Sequence, residues 1–164
     1  MSRRRQITLA AVLLAGAALW WWRSGSSAEA EVRAVFENFA TEFNSSTSDG
    51  LGLIARAAHI GESFTPDVVI ELGQGSPPIH GRETLMGMAS RLQPRTAAFL
   101  LELDDVNVDL KDPEHADVTF TALIRRRSVV SGEESIDARE FAAEAVRADR
   151  RWRVSRVVAI DTLR

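Results

Sequence analysis

The segment His115-Ala116-Asp117-Val118-Thr119-Phe120-Thr121-Ala122-Leu123-Ile124 alternates small or apolar residues with polar ones along most of its length. Successive side chains of a β-strand point to opposite faces, so this alternation predicts a strand with one buried face and one exposed face. A strand of this kind needs neighbours and a covering layer. The segment therefore places a β-sheet in the C-terminal half of the chain.

The sequence around this segment predicts four long strands. They lie at about 97–111, 115–129, 135–149 and 151–161. The connections between them are short, as at Asp112-Pro113-Glu114, and short connections join antiparallel strands. The third strand has a competitor, because residues 138–149 also have a helix-favouring composition. We prefer a strand there because the flanking connections leave room only for tight hairpins.

The N-terminal part of the domain predicts two helices. Ser26 and Glu29 have the spacing of a capping box, and apolar residues then recur on one helical face. These residues are Val32, Val35, Phe36, Phe39 and Phe43. A second, shorter helix is expected to begin near Ser48. Its expected inward-facing residues are Leu51, Ile54 and Ala58.

A short strand and a third helix follow. Residues 64–67 (Phe-Thr-Pro-Asp) are typical of a turn, and the β-branched run 68–72 predicts a strand. A glycine- and proline-rich loop at 73–78 then leads to a helix over 82–92, which Pro94 ends.

The first 27 residues form a separate segment. Three arginines at positions 3–5 precede an uncharged, mainly apolar run at residues 7–22 that ends in three tryptophans. A helix over 16 residues covers about 24 Å, and flanking arginines and tryptophans compensate for a membrane core of about 30 Å. The positive end predicts a cytoplasmic N-terminus, an inner-membrane anchor and an exported domain at 28–164. The alternative is a signal peptide cleaved near residues 26–28, which gives a secreted or periplasmic protein.

Composition excludes several function classes. The chain contains 20 Lys and Arg against 23 Asp and Glu, and four of the basic residues but none of the acidic ones lie in the first 27 positions. The acidic domain that follows is a poor partner for nucleic acid. There is no cysteine, which excludes disulfides and thiolate catalysis. The three histidines have no metal-ligand spacing, so we expect neither a metal nor a cofactor.

Three short motifs resemble the NTF2-like superfamily, also called SnoaL-like or cystatin-like. Residues 64–70 (Phe-Thr-Pro-Asp-Val-Val-Ile) resemble its short β segment, and residues 79–83 (Ile-His-Gly-Arg-Glu) resemble the start of its third helix. Residues 152–154 (Trp-Arg-Val) resemble the aromatic start of its last strand. The order of the elements over 28–164 is similar as well.

The resemblance implies an α+β fold in which three N-terminal helices pack on a strongly curved antiparallel sheet and form a cone with a pocket. Enzymes of the superfamily that act on small hydrophobic substrates place an Asp or His base in this cone, and many oppose it with a tyrosine. This chain has no tyrosine. Their site therefore cannot be carried over intact.

Four residues are candidates for a site. His80 and Asp104 could act as a base, although we prefer to interpret His80 as a surface loop histidine. One of the adjacent Asp104 and Asp105 must point inward if their strand is regular. Arg139 and Arg156 are candidates for pocket binding, and Arg156 is the one charge in the apolar phase of the last strand. An inward aspartate paired with either arginine would also be a structural solution.

The sequence favours a membrane-anchored, periplasm-facing domain that binds a small apolar ligand or an envelope protein, without catalysis and with a homodimer as a plausible assembly. One alternative is an isomerase-, dehydratase- or cyclase-type enzyme acting on a hydrophobic molecule. Another is a scaffold subunit of an envelope secretion or lipid-transport assembly. A catalytic cone requires an open apolar pocket on which a carboxylate or an imidazole converges.

Overall fold

The computed structural model describes residues 27–45, 50–73, 75–91, 97–128 and 132–160. Within these ranges, helix α1 covers residues 27–44, and the other two helices are α2 at Gly50–Glu62 and α3 at Arg82–Arg91. The strands of the described residues are β1 at Phe64–Glu71, β2 at Ile79–His80, β3 at Ala97–Leu110, β4 at His115–Ser128, β5 at Glu134–Ala148 and β6 at Arg151–Ala159. The four long C-terminal strands are confirmed, and residues 138–148 are a strand and not a helix.

The strands form one sheet in the order β2-β1-β6-β5-β4-β3. The hairpins β3–β4, β4–β5 and β5–β6 are antiparallel, as short connections require. However, β1 pairs with β6 in parallel, so the sheet is mixed and the prediction of an entirely antiparallel sheet is wrong. The reason is that about eighty residues separate these two strands in the chain, and a connection of that length imposes no hairpin direction.

Helix α1 packs on the inner face of the sheet, by which we mean the face turned toward the helices. Val32 and Phe36 are buried, which confirms the predicted helical face, and the Phe36 ring lies 5.3 Å from the Phe120 ring. Phe120 in turn stacks on Phe141 at 5.5 Å. The proposed cap at Ser26 lies outside the described residues.

Helix α1 also binds the backbone of the edge strand β3. The Asn44 side chain donates to the Leu101 carbonyl at 2.8 Å and accepts from the Leu101 N–H at 2.7 Å. Arg33 donates to the Val106 carbonyl at 2.6 Å. Three backbone groups that would otherwise lack a partner at the sheet edge are therefore satisfied by the helix.

Helix α2 faces the core with a different side from the one predicted. Leu53, Ala57 and Ile60 are buried, whereas Leu51 is 80% and Ile54 is 63% exposed. Gly61 continues the buried side, and it lets α3 approach closely. A Cβ placed on Gly61 would lie 2.6 Å from the Met86 sulfur. Leu53, Ala57 and Ile60 also have apolar helical spacing, so periodicity alone does not choose between the two sides of α2, and the wrong one was predicted.

The predicted turn at residues 64–67 is part of β1. Phe64 pairs with Val154, and the ladder resumes at Val69 opposite Arg156 after a register shift. Pro66 lies inside this irregularity, where the missing N–H leaves no ladder hydrogen bond unmade. The proline therefore marks a bulge and not the start of the strand.

Two tight turns fix the long hairpins. Asp149 and Arg150 have positive φ values of 52° and 62°, the pattern of a two-residue type I′ turn. In the β3–β4 turn, the Asp112 carboxylate accepts hydrogen bonds from the Glu114 and His115 N–H groups at 2.7 and 2.8 Å. The Glu114 N–H and the His115 side chain lower the pKa of Asp112 below its ordinary value.

Two helix glycines predict opposite stability effects. Gly87→Ala should stabilise the domain by about 1 kcal/mol, because a Cβ there meets nothing within 4 Å and alanine is the better helix former. Gly61→Val should destabilise it by about 1–3 kcal/mol, since Met86 must move. Urea unfolding of the two variants measures both changes. Equal shifts in the same direction would contradict the close α2–α3 contact.

None of the helices in the described ranges has the length and apolar character needed to cross a membrane. The predicted anchor at residues 7–22 and the first residue of the alternative cleavage site at residues 26–28 lie outside these ranges. The anchor stays a prediction.

Candidate ligand-binding site

A cavity of about 250 Å³ lies between the helices and the inner face of the sheet. Six of its lining residues are aromatic: Phe36, Phe39, Phe43, Phe64, Phe120 and Phe141. The aliphatic lining comes from both helices and strands: Val35, Ile70, Leu72, Ile79, Leu85, Leu101, Leu103, Ala122, Ile124, Val154 and Val157. Ser63 is the one polar residue in the lining that the described residues provide.

The cavity opens to solvent beside Leu72 and Ile124. These two are the exposed members that the described residues give to its lining, at 36% and 37%, and we call this opening the mouth. The cone is therefore an open apolar pocket and is not filled by its own side chains.

His80 does not line this cavity in the described structure. It lies on the short edge strand β2, where it pairs with Val69 and is exposed. Its neighbour Ile79 lines the cavity, and adjacent strand residues point to opposite faces. His80 is thus on the side facing away from the cavity.

Asp104 and Asp105 are both exposed, so the expectation that one points inward is wrong. Their strand is not regular. Asp104 pairs with Thr121 and Asn107 pairs with Thr119, which leaves one more residue on β3 than on β4. Asp105 has a φ of 51° and lies in this bulge. Up to Leu103 the odd-numbered residues of β3 face the core, whereas after the bulge the even-numbered residues Val106, Val108 and Leu110 do.

A second bulge lies between β5 and β6. Glu144 pairs with Arg156, and the adjacent Ala145 pairs with Val154. Ser155 is therefore an extra residue on β6. An extra residue reverses the alternation of every side chain that follows it.

This reversal places Arg156 on the outer face of the sheet, away from the helices. Val154 and Val157 both line the cavity although they are three residues apart. Arg156 forms ion pairs with Glu71 at 2.9 Å and with Glu144 at 3.9 Å. The expectation that Arg156 pairs with an inward aspartate is wrong, and it does not line the cavity in the described structure.

A family model described as the SnoaL-like domain matches residues 54–158. The chain belongs to the SnoaL-like family. A search of curated protein sequences gives no significant match.

Solved structures share the fold of this SnoaL-like domain. A protein assigned as a scytalone dehydratase from Novosphingobium aromaticivorans is 11% identical, with a TM-score of 0.70 over 86% of this chain and 88% of its own. A ketosteroid isomerase-like protein from Erwinia carotovora atroseptica is 17% identical, with a TM-score of 0.60 over 80% and 93%. A hexachlorocyclohexane dehydrochlorinase, LinA type 2, is 14% identical, with a TM-score of 0.59 over 80% and 85%. At these identities the likeness confirms the SnoaL-like fold and carries no chemistry.

Arg139 lies beside the mouth of the SnoaL-like pocket, although it is not itself a lining residue. It pairs across the sheet with Ala122, a lining residue, so both side chains are on the inner face. Its Nη1 donates to the Leu72 carbonyl at 2.9 Å, and its Nη2 is 3.7 Å from an Asp137 oxygen. Of the four candidate residues, Arg139 is the one that the fold brings to the pocket.

A second cleft of about 360 Å³ lies between α1, α2 and the start of β6. The residues that give it polar character are Asn38, Glu42, His59, Glu62, Ser63 and Arg151. His59 Nδ1 is 3.6 Å from a Glu42 oxygen, and the buried Trp152 Nε1 in its wall has no hydrogen-bond partner among the described residues. No group of histidines and acids suited to a metal ion occurs in the part of the chain that the structure describes.

Sequence reasoning missed most of the pocket lining. The helical face of α1 was a usable signal, since Val35, Phe36, Phe39 and Phe43 all line the cavity. In contrast, Ser63 and Ile79 reach the cavity through the path of the chain between α2 and α3, and no local pattern marks them.

Proposed function

We propose that this SnoaL-like domain binds a small apolar molecule in the cavity and performs no acid–base catalysis there. The observation that carries this proposal is the composition of the wall, in which Ser63 is the only polar member that the described residues supply. Removing apolar surface from water is favourable by roughly 25 cal/mol per Å². A wall of six phenylalanines and eleven aliphatic residues offers this gain and no group that can exchange a proton.

The size of the cavity supports a compact ligand. An apolar cavity of about 150 Å³ holds benzene. On that scale, a cavity of about 250 Å³ accommodates a body of about ten carbon atoms. A bicyclic aromatic ring system or a short alkyl chain has this size.

An enzyme is the second candidate. It is favoured by the names of the structural neighbours, which include a scytalone dehydratase, a ketosteroid isomerase-like protein and a dehydrochlorinase. A general base must come within about 3.2 Å of the proton that it removes, directly or through one water. His80 and Asp104 are exposed outside the lining, so binding without catalysis remains the preferred proposal.

The location and partners of the domain remain proposals that rest on the sequence. Residues 7–22 favour an inner-membrane anchor with the domain exported, or a cleaved leader. The same layout is compatible with an envelope protein as the bound partner, with a scaffold role and with a homodimer.

Calorimetric titration of the full-length chain with naphthalene-2-carboxamide tests the proposed binding. This neutral probe has the expected size. We expect saturable 1:1 binding with a submillimolar dissociation constant and a negative heat-capacity change, the mark of apolar burial. Native mass spectrometry of the protein purified from its own cells should show a co-purifying small molecule. The absence of saturable binding would refute the proposal.

A further inference from the structure

We infer that the molecule bound in the cavity is an uncharged alcohol, whose hydroxyl group forms a hydrogen bond with the side chain of Ser63. The inference rests on the proposed binding function and specifies the class of ligand and its orientation. It follows from the position of Ser63, from the unused hydroxyl group of this residue and from the acidic cleft beside it.

Ser63 lies at the junction of α2 and β1. Helix α2 ends at Glu62 and strand β1 begins at Phe64, whereas the mouth residue Leu72 directly follows the last residue of β1. Ser63 and Leu72 both line the cavity, so the length of β1 separates them along its wall. A ligand whose hydroxyl group contacts Ser63 therefore has its polar end away from Leu72.

The backbone of Ser63 is used by the fold, whereas its side chain is not. The Ser63 N–H donates to the Ile60 carbonyl at 3.2 Å, and the Ser63 carbonyl accepts from the Val154 N–H at 2.8 Å. These two bonds hold the residue between α2 and β6. Its hydroxyl group has no hydrogen-bond partner among the described residues and is not sealed off from solvent. A hydroxyl group positioned in this way can both donate to a ligand and accept from it.

The rest of the described lining offers a polar group no partner. Apart from Ser63, the lining consists of phenylalanine, valine, isoleucine, leucine and alanine side chains. A ligand hydroxyl group buried against them gives up its hydrogen bonds to water without replacement, and this loss lowers the affinity. A hydroxyl group left in water at the mouth adds no affinity. Ser63 is therefore the residue of this lining at which a hydroxyl group on the ligand is recognised.

The charge beside Ser63 favours an uncharged group there. Ser63 and Val35 line both the cavity and the second cleft, so these two residues lie between the two spaces. The cleft carries the carboxylates of Glu42 and Glu62 against one arginine, Arg151. Its carboxylates disfavour a negative group at Ser63 and favour the positive end of an O–H dipole. An ammonium group in the cavity would lose its hydration without a carboxylate in the described lining to replace it.

Three probes with the same ring system test the inference on the full-length chain, with binding followed by naphthalene fluorescence. They are 2-naphthylmethanol, naphthalene-2-carboxylate and 2-ethylnaphthalene, in which a methyl group replaces the hydroxyl group of the alcohol. We expect the carboxylate to bind most weakly. Ser63→Ala should lower the affinity for the alcohol about tenfold and leave the affinity for 2-ethylnaphthalene unchanged, because only the alcohol loses a hydrogen bond.

Ser135→Ala is the matched control. Ser135 is exposed on β5 and does not line the cavity in the described structure, so its truncation should change neither affinity. A second measurement needs no substitution, since nuclear Overhauser effects should connect the methylene protons of the bound alcohol with the Ser63 side chain. Effects to Leu72 or Ile124 instead, or a Ser63→Ala variant that does not distinguish the alcohol from 2-ethylnaphthalene, would overturn the inference while the proposed binding function stands. Failure of all three probes to bind would refute the binding function itself.

Discussion

Replacing Ala122 by phenylalanine is expected to lower the affinity for naphthalene-2-carboxamide by about a hundredfold, because the ligand loses about 100 Å² of apolar burial. Ala122 lines the cavity from β4, two residues before the mouth residue Ile124 on the same face of the strand. A benzyl group at this position projects into the cavity and occupies the space that the ligand needs. Calorimetric titration under the conditions used for the unmodified chain measures the loss.

The matched control is Ala142→Phe on β5. Ala142 pairs with Thr119 and Val158 on the outer face, so its new side chain stays outside the cavity. We expect its affinity for the probe to equal that of the unmodified chain. If both variants bind normally, the probe is held elsewhere on the molecule and the cavity is not the binding site.

Phe120→Ala should cost about 3–5 kcal/mol of unfolding free energy, the largest stability effect we predict for a single substitution. The Phe120 ring is 9% exposed and lies between the Phe36 ring of α1 and the Phe141 ring of β5. Its removal enlarges a cavity that already exists and breaks two aromatic contacts between helix and sheet. Chemical unfolding of the full-length chain, followed by far-ultraviolet circular dichroism, measures the change.

Leu51→Ala is the control for this substitution. Leu51 is 80% exposed on α2, so its truncation should change stability by less than about 0.5 kcal/mol. A large effect of Leu51→Ala would mean that this side of α2 is covered in solution. A small effect of Phe120→Ala would mean that the aromatic contacts do not couple α1 to the sheet.

The sequence predicted those elements whose signals are local. The alternation of β4 and the helical spacing of α1 each repeat over several turns or pleats, and both are confirmed. The order of elements supported the resemblance to the SnoaL-like family, which the family match confirms. Partners far apart in the chain were not predictable, as in the parallel pairing of β1 with β6.

The candidate residues were harder to place, because a single extra residue in a strand exchanges its two faces. The bulge at Asp105 lies directly after Asp104, and the extra residue Ser155 lies directly before Arg156. The expectations of one inward aspartate at positions 104–105 and of an inward Arg156 both assumed regular strands, and both failed. Arg139 lies on a strand that carries no extra residue between it and Phe141, and its position at the mouth follows from the simple pattern.

The contacts of Asn44 and Arg33 with β3 have a consequence for how the protein behaves when it is concentrated. The edge strand β3 has fourteen residues. An uncovered edge strand of this length can pair with a strand of a second molecule, and repeated pairing leads to fibrils. Here the side chains of Asn44 and Arg33 already form hydrogen bonds with backbone groups of Leu101 and Val106. The bulge at Asp105 also interrupts the regular strand between these two residues. The longer edge strand of the sheet is thereby protected from intermolecular polymerisation.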